Sequence, residues 1–448
     1  MPMRQISDYP ELSYFLISFT PDGVERQERV RGSDGLLSAK LIAELAATPV
    51  TDVFFTSHGW KGDVPAAIDQ YDRWISAMSV CTADRAKIRQ RRPEFRPLLV
   101  GLHWPSLPWG DEDINDSQAS FSVNEPSPIE EMIDRYAERI ADTTVARDAL
   151  SVIFEAAMEN VAPAELPSEV REAYLVLNRE SGLGDEKEGA APGDDREPFN
   201  PDLAYQNSEA EAANFGAISL AGVLSPLRQL SFWKMKDRAR QVGESGGHQL
   251  LKSLQRVAGA SGREVRFHLM GHSFGCIVMS AILRGPSIGN LQVEPVHSLF
   301  LVQGALSLWS YCENIPSIPS RAGYFRSLIA NSKVAGPIIA TLSEHDTAVG
   351  KYYPLGAGIR RQVVYALGEL PKYGGTGTFG IRGPGIEIED RDVVNIDQTY
   401  GFQPGKAYNL DASAYIRKME GASGAHNDIA HPEVAHAFWE GVMSPEED

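Results

Sequence analysis

The sequence predicts an α/β protein: a mostly parallel central sheet with helices on both faces, interrupted by one large, mainly helical insertion. Three observations carry this. Short β-rich apolar runs alternate with runs whose apolar residues recur at helical spacing. Beyond Trp109 the alternation lapses for about 150 residues, longer than the loops of compact domains, and then resumes. One strand-like run, 264–270, leads through Gly271, His272, Ser273, Phe274 and Gly275 into a helix-like run, 276–283.

The elements follow in order. Residues 13–20 read as a strand, Pro21, Asp22 and Gly23 as a turn, and the chain up to Val30 as a second short strand, so a hairpin is expected to open the domain. Residues 36–47 form an amphipathic pattern ended by Pro49, and 51–56 a buried strand running into Ser57, His58, Gly59 and Trp60. A helix through Ile68, Tyr71, Trp74, Ile75 and Met78 and a strand at 97–103 complete the first half of the sheet. In the insertion, Ile129, Met132, Ile133, Tyr136 and Ile140 mark one amphipathic helix, and Leu150, Ile153, Phe154 and Ala157 another. Residues 179–202 hold eight acidic and three basic residues among Gly and Pro, a composition that predicts no fixed structure. A basic helix around Phe232, Trp233 and Met235 leads back to the strand before Ser273. Strands then follow at 298–303, 336–342 and 406–410, with a closing helix at 432–442. The expected division is a core of 1–110 and 246–448 around an inserted helical cap or lid at 111–245, with the acidic segment near 180–202.

With 448 residues, 43% of them hydrophobic, the chain can bury a large core. A net charge of −18 repels polyanions and argues against nucleic-acid or anionic-membrane partners. Cys81, Cys276 and Cys312 are too scattered for a disulfide framework or a C-x-x-C pair and favour a reducing compartment. Asp8 and Glu11 break any basic-then-apolar order at the N-terminus, and no apolar run reaches bilayer-spanning length, so the expectation is a cytoplasmic protein, with export that needs no signal peptide left open. Gly375, Gly377 and Gly380 spell G-x-G-x-x-G without a legible strand before or helix after, which reads as a flexible loop rather than a dinucleotide site. His426, Asp428 and His431 lack a partner at metal-ligand spacing. No cofactor and no metal are expected.

The pattern G-x-S-x-G occurs twice. Gly243 to Gly247, around Ser245 and followed by His248, comes after a charged, helix-like segment and reads as a turn interrupting a helix; only Ser273 follows a strand. A serine hydroxyl becomes a nucleophile when a base takes its proton and a third group orients the base. Asp346 lies just past the 336–342 strand, with Glu344 and His345 beside it. Of three late histidines, His436 sits within the closing helix, His431 precedes Pro432, and His426 lies in a Gly-Ala-His-Asn-Asp loop free to reach the sheet edge.

The order Ser273, Asp346, His426 resembles that of the α/β-hydrolase superfamily, its serine esterase and lipase-like branch, over 13–442 apart from the insertion. The resemblance implies a nucleophile elbow at Ser273 and a catalytic triad of Ser273, Asp346 and His426. It also implies an oxyanion hole made by the backbone N–H groups of Trp60 and Phe274, with His58 shaping the turn. His58, Gly59, His272 and Trp104 are expected to face substrate, and Trp60, Trp104, Trp109, Phe232 and Trp233 either line an apolar acyl pocket or belong to the core. The activity implied is hydrolysis of a small-molecule carboxylic ester, lipid esters included, through an acyl-enzyme, without stable membrane insertion. Thioesterase, amidase and acyltransferase chemistry would use the same residues, and a non-catalytic binding module on this fold is the alternative from another class.

Overall fold

The computed structural model describes residues 3–6, 9–27, 35–60, 64–106, 128–160, 163–206, 222–286, 293–352 and 370–444. Its strands are β1 (Met3–Ile6), β2 (Tyr9–Ser18), β3 (Asp52–Ser57), β4 (Pro97–His103), β5 (Arg266–His272), β6 (Ser298–Val302), β7 (Ile338–Leu342), β8 (Ile388–Asp392) and β9 (Ala407–Asp411). Its helices are α1 (Leu37–Ala47), α2 (Val64–Val80), α3 (Thr82–Arg91), α4 (Pro128–Arg139), α5 (Thr144–Glu159), α6 (Ser168–Glu180), α7 (Ser225–Val242), α8 (His248–Ala260), α9 (Gly275–Arg284), α10 (Arg326–Ala330), α11 (Thr376–Phe379) and α12 (Pro432–Val442).

All nine strands form one sheet in the order β1-β2-β4-β3-β5-β6-β7-β9-β8. Only β1 and β2 pair antiparallel; the other pairs are parallel. The chain is therefore an α/β protein with a mostly parallel sheet and helices around it. The opening hairpin differs from expectation. It is formed by β1 with β2, whereas beyond the turn at residues 21–23 a single bridge joins Phe19 to Glu25, and Val30 lies outside the described residues.

Strand β8 escapes sequence reading because it carries one apolar residue in five and stands at the sheet's edge, where charged side chains deter further pairing. Central β3 is buried at every position. Helix α12 closes the core: Phe438 stacks on Phe300 of β6 at 5.3 Å and meets Phe54 of β3 edge-on at 5.9 Å, with Trp74 of α2 beside both.

The chain divides into two compact units, Met1–Leu107 with Arg238–Tyr353 and Leu367–Asp448, and Pro108–Asp237 with Pro354–Ala366. The first holds the sheet. Within the second, α4 packs on α5 through Tyr136 and Phe154, 5.1 Å apart, and Phe199 meets Tyr174 and Trp233 edge-on. The acidic segment, expected to lack fixed structure, has turns rather than helix or strand over 181–200. Two of its charges are held by partners: Lys236 Nζ lies 2.5 Å from Asp195 Oδ2, and the buried Arg196 guanidinium donates to Gly184 O at 2.6 Å and lies 4.0 Å over the Trp233 ring.

The first stretch of the second unit runs to Asp237, within α7. The second G-x-S-x-G, Gly243–Gly247, expected to interrupt a helix, forms one π-helical turn that continues α7 into α8. Ser245 Oγ donates to Gln241 O at 2.6 Å, and a side chain on Gly243 would collide with Ala281 of α9, with only 2.5 Å between their β-carbons. Among the described residues no helix is long and apolar enough to cross a membrane.

Candidate active site

Ser273 sits between the last residue of β5 and the first of α9, with φ at +56°. That conformation costs a serine on the order of 1–3 kcal/mol and persists only where its surroundings impose it. They do so here by close approach. A β-carbon added to Gly271 would lie 2.4 Å from Gly275 O, and one added to Gly275 would lie 2.3 Å from Ser57 O, so strand, turn and helix fit together only with glycine at both positions. The Ser273 N–H donates to Val302 O of β6 at 3.1 Å, and its carbonyl accepts from Ala305 N–H at 3.2 Å. Beneath it Cys276 is fully buried, its thiol pushed well above the usual range by burial, which suits packing.

The turn after β3 lies directly against this serine. A β-carbon on Gly59 would stand 2.5 Å from Ser273 Cβ, and the rings of Trp60 and Phe274 pack at 5.8 Å. His58 and Trp104, expected to face substrate, are 1% and 0% exposed and brace the turn from behind. The His58 N–H donates to Tyr71 Oη at 2.8 Å, whose own proton goes to Leu102 O at 2.5 Å. His58 Nδ1 donates to Gly59 O at 2.8 Å, which leaves Nε2 to accept from His103 Nδ1 at 3.1 Å. The indole of Trp104 stacks on the His58 ring at 5.7 Å and donates to His58 O at 3.1 Å. Burial, with His103 alongside, pushes His58 down to about 3, so it is neutral at physiological pH and its tautomer is set by Gly59.

Asp346 and His426 come together across 80 positions of sequence, His426 Nδ1 lying 2.8 Å from Asp346 Oδ2. A backbone bridge between Asp346 and Gly424, with Ala425 N–H donating to His345 O at 2.9 Å, docks the histidine loop on the acid loop. Asp346 Oδ1 accepts from Val349 N–H at 2.9 Å. His272, the residue before Ser273, is 2% exposed and reaches the same histidine: its Nε2 donates to His426 O at 2.9 Å and the two rings lie 4.9 Å apart. Burial, then the neighbouring His426, hold His272 down to about 3. Among the described residues, neither the Ser273 hydroxyl nor His426 Nε2 is engaged in a hydrogen bond; both stand at the carboxyl edge of the sheet, where β5, β7 and β9 end.

Sequence reading missed Gln303, which directly follows β6, is fully buried at φ +46°, and donates from Nε2 to Asp346 Oδ2 at 3.0 Å. The available signal was a polar residue closing an otherwise apolar strand. The G-x-G-x-x-G glycines turn out not to form a loose loop. Thr376–Phe379 is a short helix, and Gly377 lies against the Gln303 backbone, where a β-carbon would come within 2.7 Å. Trp109 lies outside the described residues, and Trp233 is buried within the helical unit.

The other late histidines have different surroundings. His431 Nε2 lies 2.9 Å from Asp428 Oδ1. His436 is fully buried, with Nδ1 2.7 Å from Asp84 Oδ2 and Nε2 3.0 Å from Gln398 O. Burial alone would lower its pKa, but the Asp84 carboxylate outweighs it and the imidazole is raised. Asp84, His436 and Glu440 bring three potential ligand atoms within 4.8 Å of one another, yet Lys87 Nζ already lies 3.7 Å and 3.6 Å from the two carboxylates. The cluster thus holds its own countercharges. Comparison of the chain with family models, curated proteins and solved structures finds no match.

Proposed function

We propose that the protein is a serine hydrolase of the α/β-hydrolase type that cleaves carboxylic esters through an acyl-enzyme. The supporting observation is the juxtaposition at one sheet edge of a serine in a strained strand-to-helix turn with a buried aspartate–histidine pair. In this reading Ser273 Oγ attacks the ester carbonyl while its proton passes to His426 Nε2. Asp346 accepts from the Nδ1–H and supports the imidazolium that forms. The backbone N–H groups of Trp60 and Phe274 stabilise the oxyanion. Collapse of the tetrahedral intermediate breaks the ester C–O bond, and His426 returns the proton to the departing alkoxide. Water, deprotonated by His426, then attacks the acyl-enzyme and releases the acid and Ser273.

By chain order the helical unit is an insertion between β4 and β5. The three cysteines, all free and buried, fit a cytoplasmic setting. A fluorophosphonate probe tests the reading: stoichiometric labelling of the wild type that Ser273→Ala abolishes is expected, and a wild-type protein that resists the probe would overturn it. A series of p-nitrophenyl esters tests the acyl preference, rates rising with chain length supporting a lipid ester and rates confined to acetate or butyrate a small one.

A further inference from the structure

We infer that Gln303 is a positioning residue that fixes Asp346 against His426 and ties that pair to the Ser273 turn. The inference rests on the reading of Asp346 and His426 as acid and base.

The orientation of the Gln303 carboxamide is set by its neighbours. The Gln303 backbone N–H donates to Thr341 Oγ1 at 3.1 Å, so the threonine's own proton is left for Gln303 Oε1, 3.0 Å away. The oxygen end of the amide is thereby assigned, and both protons of Nε2 must go elsewhere. They have two acceptors, Asp346 Oδ2 at 3.0 Å and Gly377 O at 3.2 Å. Every polar group of the side chain is thus satisfied in a fully buried position, where an unmade bond costs on the order of 1–3 kcal/mol.

The placement carries the function. Asp346 Oδ2 is shared between His426 Nδ1 at 2.8 Å and Gln303 Nε2 at 3.0 Å, and Oδ1 is taken by Val349 N–H. Gln303 is the second side chain, among the described residues, that reaches this carboxylate. Its own segment also holds the nucleophile: Val302 O accepts from Ser273 N–H, and Ala305 N–H donates to Ser273 O. Residues 302–305 therefore touch the Ser273 backbone on one side and the Asp346 carboxylate on the other. The left-handed backbone at Gln303, uncommon for a glutamine, is the bend that lets one segment do both.

Two variants and two readouts test this. Gln303→Leu deletes the donor, and ester hydrolysis is expected to fall about 10²-fold in kcat, with KM within a few-fold, because the acid is misplaced rather than absent. Gln303→Glu keeps the shape but faces one carboxyl with another, so the pair must share a proton. Near-normal kcat is expected while that proton is bound, and a descending limb, absent from the wild type, as pH rises and it leaves. The second readout needs no turnover. The far-downfield NMR resonance of the His426 Nδ1–H is expected to shift or broaden in both variants and to stay in place in Ser273→Ala. A resonance unmoved in both folded Gln303 variants, or wild-type kcat and pH profile in both, overturns the positioning role. Should Gln303→Leu fail to fold, Gln303→Glu carries the test. A protein that hydrolyses no ester but shows the NMR change keeps Gln303 as the positioner of Asp346 and overturns only the hydrolase reading.

Discussion

Two groups of serine, histidine and aspartate lie at opposite edges of the same mostly parallel sheet. At the carboxyl edge stand Ser273, His426 and Asp346. At the amino edge, Ser298 of β6, His268 of β5 and Asp52 of β3 are linked more completely: His268 Nδ1 lies 2.9 Å from Ser298 Oγ and Nε2 3.1 Å from Asp52 Oδ1. Burial holds His268 below its usual value, so the neutral ring donates from Nε2 and accepts the serine proton at Nδ1. Burial alone would raise Asp52, but the bond from His268 and the charge of Arg92, 2.8 Å away, hold it below its usual value. By connectivity alone this second group is the better triad. It has no chemistry to offer, because Ser298, His268 and Asp52 are 1%, 0% and 0% exposed and Ser298 lies within a regular strand. At the other end the serine is held out of the strand at positive φ, beside a turn whose backbone packs against it, and among the described residues His426 Nε2 makes no hydrogen bond. On the proposed reading, the difference teaches that a Ser-His-Asp set becomes a site when the fold leaves one valence unused and places it at an edge.

The contrast breaks most sharply at the serines. Ser273→Ala is expected to lower kcat for an ester substrate by about 10⁶-fold while the melting temperature stays within a few degrees. Wild-type turnover in that variant would move the nucleophile elsewhere. Next comes the acid. Asp346→Asn presents a donor to the wrong side of His426, and a fall of about 10⁴-fold in kcat is expected with folding preserved. Its counterpart Asp52→Asn should reverse the pattern: kcat within a few-fold of wild type, but stability in urea lowered by about 3–5 kcal/mol, because the Arg92 guanidinium loses the charge that compensates it and the His268 N–H its charged acceptor.

A smaller effect probes the Ser273 end by pH. His58 and His272, which back the Ser273 turn, are held down to about 3, whereas an unfolded histidine protonates near 6.5. Between pH 6.5 and 3 the unfolded chain therefore binds more protons than the folded one, and stability declines as pH falls through that window. His272→Phe should flatten this decline by a few kcal/mol at most between pH 6.5 and 4, as read from urea midpoints. An unchanged slope would mean that His272 is not a neutral buried ring.

Much of this was legible in the sequence, for identifiable reasons. Strand β4 and helix α12 were placed to the residue, since buried runs bounded by Pro97 and Pro432 leave little choice. Ser273 was separable from Ser245 because one follows a strand and the other a charged helix. Asp346 and His426 could be picked out by their positions after apolar strands. What stayed hidden depends on tertiary placement. A charged five-residue edge strand such as β8 has no hydrophobic period to read, and three further histidines, His58, His103 and His268, differ from His426 only in what surrounds them. The acidic composition of 179–202 conceals pairings with Lys236 and Trp233 that lie more than thirty positions away, on the order of the separation at which local patterning carries no signal. Gln303 is of the same kind: its partners Thr341, Asp346 and Gly377 come from β7, the loop after it and α11.

The smallest expected effect is the most direct check on the comparison. Ser298→Ala removes one hydroxyl from the amino-edge group and leaves the His268 Nδ1 lone pair buried without a donor. Loss of one such buried bond should lower stability by about 1–3 kcal/mol. The fluorophosphonate probe should label the variant as fully as the wild type, since Ser298 is shielded by the sheet and by the helices around it. Labelling that disappeared in Ser298→Ala with the fold intact would make the buried relay the reactive one. Unchanged labelling with a stability loss in that range would show instead that the same three residue types, wired nearly the same way, act as a fastening between strands when every valence is filled.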